Sequence, residues 1–129
     1  FTELFSKDRA VRALKEGKAV FFAGGTGHPY FSTDTTTVLR AIEIEAEVIL
    51  LAKSIDGVYD SDPKENPSAK KYDTVSIQEV IDRKLGVVDM TASILCMENR
   101  MPMLVFGLNE PDSIINSVGG QFTGTRVTV

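Results

Sequence analysis

The residues whose types and spacing suit chemistry form one block, Gly24-Gly25-Thr26-Gly27-His28-Pro29-Tyr30-Phe31-Ser32-Thr33-Asp34. It lies between an apolar, strand-like run at 19–23 and a helix-like run at 35–46. A buried strand that empties into a glycine-rich turn and then a helix start is where α/β proteins hold phosphorylated ligands. The turn exposes backbone N–H groups, and the helix dipole favours an anion. Glycine permits backbone angles and close approaches that a side chain blocks. The block is not a Walker A loop, since no Gly-Lys-Ser/Thr follows, and its spacing is wrong for a dinucleotide fingerprint. Local pattern alone supports a second reading equally well: a strand-to-helix turn whose threonines cap the helix.

The elements that must position this block follow from periodicity and caps. Residues 8–16 read as a short amphipathic helix with Val11 and Leu14 on one face and Gly17 as its stop. Residues 19–23 form a continuous apolar strand, as expected where helices cover both sheet faces. Thr33 or Asp34 caps the next helix, whose Val38, Leu39 and Ile42 share a face. A second buried strand spans 48–52, which makes a βαβ unit with a parallel sheet and a right-handed crossover. The polar connection from Ser54 to Lys71 is long enough to be a functional loop or lid, and its 60–71 portion reads most simply as solvated and flexible.

Further on, Ser76 with Glu79 forms a capping-box pattern for a helix through Lys84. Asp89 caps a helix at 90–99, followed by Met101-Pro102. Residues 103–106 form a third strand, 113–118 a short helix and 125–129 a closing strand. Asp34 and Asp89 thus both stand at helix starts, where a carboxylate is stabilising in any case. Cys96 and Met97 fall in an apolar helical segment and read as core. Arg40, Glu43 and Glu45 read as an exposed face with local charge pairs.

The totals bound the function. A chain of 129 residues suits one domain with one core. The 43% hydrophobic and 25% charged content is that of an ordinary soluble protein. A net charge of −4 argues against a general nucleic-acid surface, which needs a basic face. It does not exclude a nucleotide, because local N–H donors and a metal ion can hold phosphate in an acidic protein. The single cysteine excludes an internal disulfide framework and points to a reducing cytoplasm. No apolar run reaches the ~20 residues of a membrane span, so no membrane partner is expected. The chain opens on Phe1 rather than Met, and a piece of a longer gene product is expected.

Several blocks in order carry a resemblance. After the glycine-rich block come Leu39-Arg40-Ala41-Ile42-Glu43-Ile44-Glu45-Ala46, Asp56-Gly57-Val58-Tyr59 with Asp62-Pro63, Val88-Asp89-Met90-Thr91-Ala92, Pro102, Val105-Phe106 and Gly124-Thr125. Over nearly all its length the chain resembles the C-terminal part of the bacterial uridylate (UMP) kinases, of the amino-acid-kinase fold family. The Thr-Gly-x-Pro-Tyr/Phe-Phe-x-Thr-Asp block is specific to those kinases. The Asp-Gly-Val-Tyr block is shared more widely.

The resemblance implies a three-layer α/β/α sandwich with a mainly parallel central sheet. It implies transfer of a phosphoryl group from Mg-ATP to UMP in pyrimidine nucleotide biosynthesis. It also implies a cytoplasmic homohexamer, with GTP and UTP as effectors and Mg²⁺ arriving with ATP. The family's phosphate loop with its catalytic lysine, its Gly-Gly and arginine, and its ribose aspartate belong to an N-terminal half outside this chain.

By resemblance, Thr26, Gly27, His28, Pro29, Tyr30, Phe31, Ser32 and Thr33 line the UMP site. The Thr26 and Thr33 hydroxyls suit the uracil edge there, and Gly27 allows backbone approach. His28 departs from the family's usual asparagine. Asp34 and Asp89 are the implied catalytic pair: Asp34 shapes the phosphate region and Asp89 orients the family's lysine through a charge-assisted bond. Lys53, Tyr59 and Asp62 are implied at the ATP site, with the Tyr59 ring against adenine and Asp62 accepting from the ribose or adenine side. Lys53 departs from the family's threonine or asparagine; its backbone carbonyl can still meet adenine, and Ser54 is an alternative contributor. Two other readings stay open: a kinase of the same fold acting on a carboxylate or carbamate, and a nucleotide-binding module without turnover.

Overall fold

The computed structural model describes residues 2–129. Helix starts are written locally, by side chains that take up free N–H groups. Ser6 caps α1 (Lys7–Lys15), Ser32 caps α2 (Thr33–Glu43), Ser76 caps α3 (Ile77–Asp82) and Asp89 caps α4 (Met90–Glu98). The α2 cap is therefore Ser32, not Thr33 or Asp34. Ser32 keeps an extended backbone and its Oγ accepts from Thr35 N–H at 3.0 Å, whereas Thr33 and Asp34 already lie inside the helix. At α3 only half of the capping box forms. Ser76 Oγ takes the Glu79 N–H, but the Glu79 carboxylate turns to Tyr72 and Arg83.

The strands are β1 (Ile49–Lys53), β2 (Thr74–Ser76), β3 (Met103–Gly107) and β4 (Thr125–Thr128), and α5 (Ser113–Val118) lies between β3 and β4. They form one four-stranded sheet in the order β1-β3-β4-β2. The β1–β3 and β2–β4 pairs are parallel, and β3–β4 is antiparallel with Met103 opposite Val127. The sheet is mixed and mainly parallel, with helices packed on it.

Residues 19–23 do not form the expected strand, and the βαβ unit built on them is not present. An apolar run becomes a strand only when a neighbour completes its hydrogen-bond ladder. No described strand lies beside this one, and Phe21 is 93% exposed. The parallel partner of β1 is instead β3, far along the chain. β2 is the unexpected strand: three residues are too few to show alternation, and it is defined by pairing with β4.

One core holds these elements. Ile49 of β1, Met103 and Val105 of β3 and Val127 of β4 pack with Val38 of α2, Val80 of α3, and Ala92 and Cys96 of α4. Burial pushes the Cys96 thiol up to about 11, so it behaves as a small core hydrophobe, as expected. In α1 the buried residue is Ala10, while Leu14 stays 38% exposed, so the Val11–Leu14 face is not the one that packs. Arg40 pairs with Glu43 as expected, but it is largely buried, and its guanidinium lies 3.8 Å over the Phe5 ring. No described helix is long and apolar enough to cross a membrane.

Thr125, fully buried at the start of β4, ties the sheet to the loop after β1. Its Oγ accepts from Val58 N–H at 2.9 Å and donates to the Tyr72 carbonyl at 2.5 Å. Thr125→Val keeps the shape but strands both backbone groups. It is expected to cost about 1–3 kcal/mol in denaturant unfolding, whereas Thr125→Ser, which keeps the hydroxyl, is expected to cost less.

Candidate active site

The site lies where β1 ends and two helices begin. In parallel α/β sheets, ligands bind beyond the carboxyl ends of the strands, where helix N-termini direct N–H groups outward. The leading loop turns through Gly24, Gly25 and Gly27 at φ 87°, 66° and 74°, conformations that suit glycine, and then through Tyr30 at φ 70°. Thr26 Oγ accepts from His28 N–H at 3.1 Å and closes the turn. His28, Pro29, Tyr30, Phe31, Ser32 and Thr33 are exposed, and Thr33 is the first residue of α2. The loop thus presents the side chains of His28, Pro29, Tyr30 and Phe31 to solvent as one open surface.

Behind this surface, Ser32, Asp34, Lys53 and Asp89 are brought together from three separate stretches of chain. Asp89 Oδ1 accepts from Ala92 N–H at 2.8 Å and so caps α4. Its carboxylate also takes the Ser32 hydroxyl and the Thr35 hydroxyl, the latter at 3.2 Å. The N-termini of α2 and α4 are therefore joined through one carboxylate. Burial pushes the Asp89 carboxyl up, but the bonds from Ser32, the Ala92 N–H and Thr35, with the Lys53 charge, hold it below the ordinary value. It is ionised at neutral pH.

Asp34, in the first turn of α2, makes an ion pair with Lys53 at the end of β1; Lys53 Nζ lies 3.0 Å and 3.1 Å from its two oxygens. The Lys53 carbonyl accepts from Leu108 N–H at 2.7 Å. Thr35 escaped the sequence reading, although it follows Asp34 directly. Nothing in a single sequence marks which threonine of a run faces another helix.

A second region follows β1. A cleft of about 960 Å³ is lined by Ser54, Asp56, Tyr59, Asp62, Arg83 and Val87, among others. Tyr59 and Asp62 therefore share a cavity, and Ser54, which begins its lining, directly follows Lys53. Tyr59 donates its hydroxyl to Asp56 at 2.8 Å. Asp62 Oδ1 accepts from Lys64 N–H at 2.9 Å, which shapes the turn at the rim. The 60–71 stretch is tied down rather than loose: Tyr59 bridges Lys71, Asp60 N–H donates to the Lys70 carbonyl, and Asp60 Oδ1 accepts from Lys70 N–H. Local polarity alone suggested a solvated loop; the pairing partners lie too far apart in sequence to show a period.

The turn between β1 and this loop is held by Asp56. Lys71 Nζ lies 2.9 Å from its Oδ2. The Lys71 bond lowers the Asp56 carboxyl against the opposing effect of burial, Tyr59 adds to the lowering, and the same Asp56 bond raises the Lys71 ammonium. A carboxyl lowered in the folded state stabilises fully above its unfolded value, about pH 4. That contribution is lost as pH falls through the lower folded value. The raised Lys71 stabilises below its unfolded value and loses that contribution as pH rises through the higher folded one. Thermal midpoints of wild type and Asp56→Asn are therefore expected to differ near neutrality and to converge toward strong acid.

Among the described residues, no three His, Cys, Asp or Glu side chains form a metal cage. The oxygens of Asp34 and Asp89 are already engaged by Lys53 and by hydroxyl and amide donors.

The chain is similar to known proteins over most of its length. The Amino acid kinase family matches the chain over residues 2–107. The chain is 52% identical over 126 residues to a protein named uridylate kinase from Psychrobacter sp. (strain PRwf-1), covering 98% of this chain and 52% of that relative. The UMP kinase structure from Bacillus anthracis superposes with a TM-score of 0.92 at 38% identity, covering 98% of this chain and 52% of that one. The Ureaplasma parvum UMP kinase superposes with a TM-score of 0.89 at 38% identity, covering 97% and 54%. The chain belongs to the amino acid kinase family and has the fold of its UMP kinases. It spans about half the length of the relatives it matches.

Proposed function

We propose that this chain is the C-terminal, nucleotide-binding part of a UMP kinase, which transfers the γ-phosphoryl group of Mg-ATP to UMP and gives ADP and UDP. The observation that carries the reading is the 52% identity to a uridylate kinase over 98% of the chain. The site geometry supports it. Phosphoryl transfer asks for positioning and charge neutralisation rather than covalent chemistry by the protein. The exposed loop from Thr26 to Thr33 offers hydroxyls and backbone for a pyrimidine nucleotide. The cleft at Tyr59 and Asp62 offers a separate place for ATP. Asp89 and Asp34 lie behind the loop, on the two joined helix starts, and can fix ammonium groups that face the phosphates.

In the transfer, an oxygen of the UMP phosphate attacks the γ-phosphorus. The bond from that phosphorus to the β–γ bridging oxygen breaks, and ADP leaves. The family's N-terminal lysine is part of this proposal, as are a cytoplasmic homohexamer and GTP and UTP as effectors.

The test is ADP release by the intact gene product from Mg-ATP, with and without UMP, and with N-acetylglutamate as a competing acceptor. UMP-dependent release establishes the reading. Turnover of the carboxylate without response to UMP assigns a sister kinase, and nucleotide binding without product assigns a binding module.

A further inference from the structure

Lys53 is a cation at an unusual place. It ends β1, at the strand terminus where this fold places ligands, and its next neighbour, Ser54, begins the lining of the 960 Å³ cleft. Its ammonium pairs with both oxygens of Asp34 at 3.0 Å and 3.1 Å. Asp34 sits in the first turn of α2, directly before Thr35, whose hydroxyl bonds to Asp89. Lys53 thus stands at the seam between the cleft and the carboxylate cluster. Its side chain is 26% exposed, so a ligand at the seam can reach it.

The charges explain why a cation is needed there. Asp34 in the first turn of α2 and Asp89 at the cap of α4 stand at the helix starts that would receive phosphates, and two carboxylates beside a polyphosphate repel it. Lys53 cancels one of them. An ammonium is a compact charge on a flexible stem with several donors, so it can keep a bond to Asp34 while turning another N–H to a phosphate oxygen. The Lys53 carbonyl is already bonded to Leu108 N–H. A carbonyl accepts and cannot donate to a phosphate oxygen; the ammonium is the part of this residue that can.

We propose that Lys53, held by Asp34, is a phosphate-binding residue of this chain that contacts the polyphosphate of ATP bound in the adjacent cleft. The inference rests on the kinase reading and deepens it, for it assigns the Lys53 side chain to the phosphate end of the nucleotide rather than to its base. The residue acts on phosphate charge, so its removal must discriminate between ligands with and without phosphates.

The experiment measures affinities of the intact gene product for Mg-ATP and for adenosine, in wild type, Lys53→Met and Lys53→Arg, with circular dichroism to check folding. Loss of one charge-assisted bond is expected to weaken ATP binding about ten- to a hundredfold, with adenosine affinity unchanged. Lys53→Arg is expected to restore most of the ATP preference. Equal weakening of both ligands, or ATP affinity unchanged in a folded Lys53→Met, overturns the inference and leaves the kinase reading standing. A Lys53→Met that fails to fold leaves the decision to Lys53→Arg: as a folded protein with the wild-type preference for ATP it supports the role, and with that preference lost while adenosine still binds it overturns it. A wild-type protein that binds neither ATP nor adenosine overturns the kinase reading itself, and the inference with it.

Discussion

In the intact gene product, Asp89→Asn is expected to lower UMP-dependent ADP release by about a hundredfold or more while the thermal midpoint stays nearly unmoved. The two effects separate because Asp89 is a helix cap in the structure and a fixed charge in the proposed kinase. As a cap, its Oδ1 accepts from Ala92 N–H, and asparagine caps as well as aspartate. The Ser32 and Thr35 hydroxyls that now donate to the carboxylate can rotate and accept from an amide instead. Only the negative charge is lost, and in the proposed kinase that charge is the part that would fix a cation against the transferring phosphoryl group. Asp89→Ala makes the contrast. It removes the cap and the bridge between α2 and α4, so it costs about 1 kcal/mol or more of stability in addition to activity. Turnover that survives Asp89→Asn intact would remove Asp89 from the chemistry and leave it a structural link.

Gly124→Ala is expected to be the most damaging single substitution for the fold. A Cβ at this position would lie 1.8 Å from the Val105 carbonyl oxygen and 2.9 Å from the Phe122 ring. Val105 is in the core strand β3, paired with Thr125 of β4 in antiparallel register. The obstacle is therefore backbone held in a ladder, which cannot swing aside as a side chain can. Relief requires β4 to separate from β3 and takes the buried Thr125 bonds with it. A loss of more than about 4 kcal/mol follows, and with it a fall in thermal midpoint of roughly 15 °C. Gly86→Ala serves as a control, since nothing lies within 4 Å of a Cβ there. A Gly124→Ala protein that melts with the wild type would show that the β3–β4 approach relaxes at little cost.

Much of the molecule was legible in one dimension because its signals are local. Caps at Ser76 and Asp89, the apolar periods of α2 and α4, and the short runs that become β1, β3 and β4 all lie within a few residues of the structure they specify. The proposed membership of Ser32, Asp34 and Asp89 in a site rests on a motif, through resemblance, since as isolated residues they read equally well as helix-start residues. The strand expected at 19–23 shows the limit from the other side. Its residues have the composition of a strand, but a strand is completed by its neighbour, and composition carries no information about whether one is there.

By itself the sequence determined the family, the helix starts at Ser76 and Asp89 and the apolar runs of β1, β3 and β4, because these depend on residue type and on spacing along the chain. Only the tertiary structure decided that β1 pairs with β3 rather than with residues 19–23, and that β4 runs antiparallel to β3. It alone placed the Ser32 hydroxyl on the Asp89 carboxylate, 57 residues away, and the Lys53 ammonium on Asp34. The physical reason is common to these cases. Hydrogen bonds and ion pairs are settled by distance and direction in space, and those are fixed when the core closes around Val38, Ala92, Cys96 and Met103.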